Sequence, residues 1–192
     1  QSIMMGAWLK TRNWRSPRLG FTRYFISLKD YQCLLAAAPD MQVCDIAAVC
    51  YELRSVKAPE EIRRMRQAGK ALAAGMRAAA RAVRPGILET EVLAEAEYAM
   101  AKAGSMGSSF RMQVLTHSRQ LALHPYASRT PIEDNGPVVI HLGASCEGYT
   151  AKMCRTVFLG NPKPESLRIY EALKGAQQAA VKALRPGVTC GE

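Results

Sequence analysis

No run of apolar residues in this chain approaches the roughly 20 that a membrane-spanning helix needs, so no bilayer segment is expected. The apolar stretch 3–9 is too short for one, and no small-residue cleavage site follows it. Paired cysteine spacing is missing as well. Cys33, Cys44, Cys50, Cys146, Cys154 and Cys190 contain no CxxC and no matching histidine pattern, which argues against a zinc knuckle and a disulfide framework. Reduced thiols in a cytoplasmic protein are the expectation. The front of the chain lacks acid: Lys10, Arg12, Arg15, Arg18, Arg23 and Lys29 all precede the first acidic residue, Asp30. Trp8, Trp14, Phe21, Tyr24 and Phe25 are interleaved with these bases, a combination that can stack on nucleic acid but equally suits a solvated edge or a subunit interface. Nucleic acid is not the expected partner, although the whole chain carries a net charge of +10.

What is present is ordinary for a globular protein. A 48% apolar content with 22% charged residues fits neither disorder nor a fibrous class. The 192 residues suffice for one good core, or for one domain with part of another. Residues 1–56 read as a small α/β piece, with a strand in 21–28, a helix over 29–38 stopped by Pro39, and a second helix over 46–53. That piece is too small to close a core alone, and a start at Gln1 suggests a fragment or processed product. Pro59, Glu60 and Glu61 then mark a helix start, the proline at a first-turn position and the acids where they complement the dipole. Ile62, Met65, Ala68, Leu72 and Met76 recur at helical spacing until Pro85-Gly86. A second helix, opened at or just before Thr90, runs through Val92, Leu93, Ala96 and Met100 to Gly104.

Two segments, 71–91 and 172–192, align without gaps, so that Arg84-Pro85-Gly86 falls on Arg185-Pro186-Gly187. A helix ending in Pro-Gly twice with a β-rich insert between argues for two similar units, the second barely begun. Within the insert, 108–115 reads as a strand, 116–123 as a loop and His124-Pro125-Tyr126 as a fixed turn, Pro125 holding His124 extended.

The chemistry concentrates in residues 138–160, a strand, a turn over 143–148 and a returning strand. His141, Lys152 and Arg155 lie inside those strands. A charge buried in a sheet costs several kcal/mol, about the stability margin of a domain, unless it is paired or solvated in a cavity. These side chains therefore face water or line a pocket. Of the three histidines, His117, His124 and His141, the last two are the candidates for one cleft: one sits in the turn, the other in the strand the turn feeds, and imidazole titrates near neutral pH.

The runs KAPEEIRRMRQAGK, RPGILETEV, the hairpin around Gly148-Tyr149 and Arg155-Thr156, and EALKGAQQAAVKALRPGVT together resemble the pita-bread superfamily. That superfamily includes methionine aminopeptidase, Xaa-Pro dipeptidase, aminopeptidase P, creatinase and ectoine hydrolase. The resemblance implies an α+β chain: residues 55–192 as the first half of a pita-bread domain, truncated at the start of its second repeat, and 1–54 as the end of a smaller amino-terminal α/β domain. In the metallopeptidases of this fold two aspartates eleven positions apart on the hairpin bind two divalent metals. His141 and Lys152 stand at those positions, and an ammonium offers no lone pair to a cation.

By that resemblance the expected protein is a metal-independent hydrolase of a small C–N substrate, of creatinase or ectoine-hydrolase type, with no cofactor. His124 would shuttle the proton and Lys152 would supply the positive charge a metal otherwise gives. His141, Tyr126 and Arg155 are the expected substrate contacts, Arg155 alternatively bracing the hairpin against a carboxylate. Two other readings stay open: a pita-bread module that binds without catalysis, and an Xaa-Pro peptidase with a degenerate metal site. The expected partners are a small molecule or dipeptide and a second copy in a homodimer, without a membrane.

Overall fold

The computed structural model describes residues 2–12, 16–22, 26–122, 125–189 and 191, the side chains of Ser2, Ile3 and Met5 excepted. The chain divides into two compact units, Gln1–Ala58 and Pro59–Glu192. The division falls a few residues after the expected 54/55 boundary, because a helix runs on to Ser55 and the next begins at Pro59.

In the first unit, helices α1 (Ser2–Thr11), α2 (Leu28–Ala37) and α3 (Ala47–Ser55) accompany a parallel pair of strands, β1 (Arg18–Phe21) and β2 (Gln42–Asp45). Leu9, Leu34 and Met41 form its small core. Ser27 caps α2 by accepting from the Asp30 amide, and α2 ends before Pro39 as its sequence requires. The strand expected over 21–28 instead occupies 18–21, where Leu19 and Phe21 alternate with more exposed neighbours. Residues 23–25 lie outside the described residues, as do Trp14 and Arg15 of the basic front end. Arg12 lies over the Trp8 ring at 4.8 Å.

The second unit is a three-stranded antiparallel sheet backed by two helices. Helix α4 (Pro59–Ala82) buries Ala68, Ala71, Leu72, Gly75, Met76 and Ala79, the stripe that helical periodicity predicts. Helix α5 (Glu89–Lys102) buries Val92, Ala96 and Met100 against it. The sheet orders β3 (Gln113–Leu115), β4 (Gly136–Cys146) and β5 (Tyr149–Leu159). Val138, Ile140, Leu142 and Ala144 of β4 join the helix residues in one core. Alternation puts the intervening positions on the opposite, open face.

The central turn is tighter than the six residues read from sequence. Only Glu147 and Gly148 separate the strands, both at positive φ, 49° and 82°, the two-residue geometry that matches strand twist. Helix α6 (Pro164–Ala183), the partner of α4 in the sequence repeat, buries none of its residues. Its contact with the sheet is an edge-on pairing of Tyr170 with Phe158, ring centroids 5.8 Å apart.

The closest packing of α4 on α5 depends on Gly75. A Cβ there would meet the Ala96 carbonyl oxygen at 3.0 Å and press on the Met100 side chain. Gly75→Ala is therefore expected to destabilise the unit by about 1–3 kcal/mol despite the better helix propensity of alanine. Urea unfolding of the two proteins checks this, and an unchanged or raised midpoint would contradict it.

Candidate functional site

The uniform register of β4 on β5 decides which side chains meet. His141 is opposite Cys154 and Gly143 is opposite Lys152, so His141 and Lys152 are diagonal neighbours on the open face. Arg155 is opposite Ile140 and therefore belongs to the other, helix-side face, where it is exposed and donates to the Cys154 carbonyl at 2.7 Å. No carboxylate pairs with it among the described residues, so the expected brace is not made. The structure thus brings His141 and Lys152 together and leaves Arg155 apart. His124 lies outside the described residues.

Gly143 makes room for the aromatic wall of this face. A Cβ at Gly143 would stand 2.5 Å from the Phe110 ring and against the Ser109 hydroxyl. With no side chain there, Phe110 settles onto the strand between the two candidates. Its ring centroid is 4.4 Å from that of His141, and the Lys152 ammonium lies 5.5 Å from it, within cation–π range. Burial, and then the Lys152 charge, push the His141 pKa below the ordinary 6.5. The imidazole is accordingly neutral at physiological pH.

Across the sheet Gln113 reaches both His141 and the segment that carries Tyr126. It contacts His141 Nδ1 through Oε1 at 3.3 Å and donates from Nε2 to the Pro125 carbonyl at 2.8 Å. The Tyr126 ring lies under the Arg111 guanidinium, 3.8 Å from its centroid, and its carbonyl accepts from Arg119 at 3.1 Å.

Arg119 leads to a fully buried charge. Glu89, in the first turn of α5, has no exposed surface. Its carboxylate accepts from the Thr116 amide at 2.9 Å and from the Ser128 amide and hydroxyl at 3.0 Å each, and it pairs with the Arg119 guanidinium. Segment 128–132 runs back along the start of α5, where the Glu89 and Thr90 amides donate to the Thr130 and Ser128 carbonyls at 3.1 Å. The short 3-10 helix His117–Arg119 and the segment around Ser128 are so held by one carboxylate.

Sequence reasoning missed Gln113, Phe110, Glu89 and Arg119. Gln113 had a visible signal, a polar residue between the apolar Met112 and Val114 in an expected strand. Glu89 had a misleading one, since an acid at a helix start ordinarily serves the dipole from the surface.

A sheet hairpin on two helices in this arrangement matches the pita-bread fold. The chain belongs to metallopeptidase family M24, which it matches over residues 63–192. It is 31% identical over 184 residues to a putative dipeptidase, YkvY, of Bacillus subtilis, covering 96% of this chain and 51% of that protein. It is 34% identical over 144 residues to the Xaa-Pro dipeptidase of Pyrococcus furiosus, covering 75% and 41%. The solved prolidase from Pyrococcus horikoshii superposes with a TM-score of 0.89 at 27% identity, covering 96% of this chain and 53% of that one. The chain thus spans about half the length of the relatives it matches.

Membership in a family of metallopeptidases overturns the expectation that no cofactor belongs to this protein. The described residues do not themselves supply a donor set for a metal: they contain no group of three or more His, Cys, Asp or Glu able to hold one. The ammonium of Lys152 beside His141 does not fit a cation either, so no chemical step is routed through a metal here.

Two measurements check this geometry. His141 is expected to titrate below 6.5 by NMR, and Lys152→Met to move it upward, because the nearby charge no longer opposes the imidazolium. With the folded pKa below the unfolded one, the unfolded state takes up the proton first. His141's stabilising contribution is then present above 6.5 and lost as pH falls through its folded pKa. Glu89→Ala leaves Arg119 and two amides unmatched and is expected to cost about 3–5 kcal/mol; denaturant unfolding showing a loss under about 1 kcal/mol would contradict the assigned role.

Proposed function

We propose that this chain carries part of the site of a dipeptide hydrolase of Xaa-Pro type, which cleaves the amide C–N bond before proline. The observation that carries this reading is the set of relatives. Proteins named Xaa-Pro dipeptidase match at 30–34% identity over 75–94% of the chain, within a metallopeptidase family. Of the readings open on sequence, this is the one they favour; they give the creatinase-type reading no support.

The open face of the hairpin suits a small anionic substrate. Lys152 has no acidic partner among the described residues, and its ammonium is free to meet a substrate carboxylate or the negative charge that grows on a carbonyl oxygen under attack. His141 offers a neutral imidazole beside it as a hydrogen-bonding wall. Tyr126 is held near by Arg111, Arg119 and the Gln113 contact to its neighbour Pro125. His124 enters as the proton carrier on sequence grounds alone. Arg155, on the other face, has no part in the site.

The protein carrying this chain, assayed on Xaa-Pro and proline-free dipeptides with and without added divalent metal, is expected to cleave the Xaa-Pro peptides preferentially. Lys152→Ala should lower kcat/KM by about 100-fold, the size of a lost preorganised charge contact. Absence of Xaa-Pro hydrolysis under every metal condition would defeat the proposal and favour a module that binds without catalysis.

A further inference from the structure

The amide of Gln113 has only one orientation that satisfies its surroundings. The Pro125 carbonyl can only accept, so the Gln113 group 2.8 Å from it must be the Nε2 amide. The remaining Oε1, itself only an acceptor, faces His141 Nδ1 at 3.3 Å. A nitrogen bearing a lone pair there would set two acceptors against each other, whereas one bearing a proton completes the chain His141 Nδ1–H to Gln113 to Pro125. Lys152 and burial keep the imidazole neutral, so a proton on Nδ1 leaves Nε2 as a lone pair.

We propose that Gln113 is a positioning residue that locks His141 in the Nδ1–H tautomer, presenting the Nε2 lone pair as an acceptor, and ties that imidazole to the Pro125 carbonyl. Gln113 does this from the strand beside β4, directly opposite His141 in the register. The ring is held from a second side by Phe110, so its rotation is restricted as well as its proton. The consequence for function rests on the proposed peptidase reading: an Nε2 acceptor can take a proton from a substrate amine or a nucleophile and cannot donate one while neutral. The tautomer itself does not depend on that reading.

Long-range nitrogen–proton NMR correlations on the 15N-labelled chain at pH above 8 distinguish the two neutral tautomers directly. The natural chain is expected to show His141 with protonated Nδ1 and unprotonated Nε2. Gln113→Met, of similar length and with only a weak thioether acceptor, should shift His141 toward the Nε2–H form that unconstrained imidazoles favour, and Gln113→Glu, which restores a strong acceptor, should return it to Nδ1–H. An Nε2–H form in the natural chain overturns the inference, and so does an unchanged tautomer in Gln113→Met. Should Gln113→Met not fold, the natural chain and Gln113→Glu decide: loss of the Nδ1–H form in either one overturns the inference. If the tautomer is found and no Xaa-Pro peptide is cleaved, the proposed reaction falls and the role of Gln113 stands.

Discussion

The second unit depends on one buried carboxylate. Glu89 is fully enclosed, and an enclosed negative charge is tolerable only where donors surround it. Those donors come from Thr116, Arg119 and Ser128, all in the segment between β3 and β4. The same Arg119 donates to the Tyr126 carbonyl, so the partners that one carboxylate demands also hold the backbone at Tyr126. The polar side chain serves as a fastening because leaving it unmatched costs more than ordering the loop around it.

From there the organisation passes to the hairpin through Gln113. Its two hydrogen bonds run from the Pro125 carbonyl to the imidazole, so the residues beside those that Glu89 holds and the face set by β-sheet register are parts of one network. Phe110 is the apolar counterpart. It can lie on the strand only because position 143 has no side chain, and its place between His141 and Lys152 comes from the backbone more than from either polar group.

The helices and the hairpin were legible because their signals are periodic and local. The α4 stripe, the Pro59 start and the β-branched run of β4 each follow from spacing within a single element. The first unit was read less well. Strands β1 and β2 have four residues each and pair in parallel, a match between distant segments that no local pattern announces. The candidate site was legible for His141 and Lys152, which are polar side chains in an apolar context. It was not legible for Glu89 and Gln113, whose importance comes from partners 27 and 28 residues away in sequence. Arg155 shows the opposite error: its residue type suited a site, and its parity in the strand placed it on the wrong face.

That parity explains why His141 and Lys152 lie on one face at all. In a hairpin closed by two residues, position 141 is opposite 154 and 152 is opposite 143, so residues eleven apart become diagonal neighbours. A slip of one residue in one strand would send one of the two side chains into the helix-side core. The slip is opposed by everything on that side, since Val138, Ile140, Leu142 and Ala144 would leave the core in exchange. The apolar face therefore holds the polar one in register. An ammonium and a neutral imidazole placed together in this way repel a second positive charge and attract a negative one, so the electrostatic character of the open face follows from packing on the opposite, helix-side face.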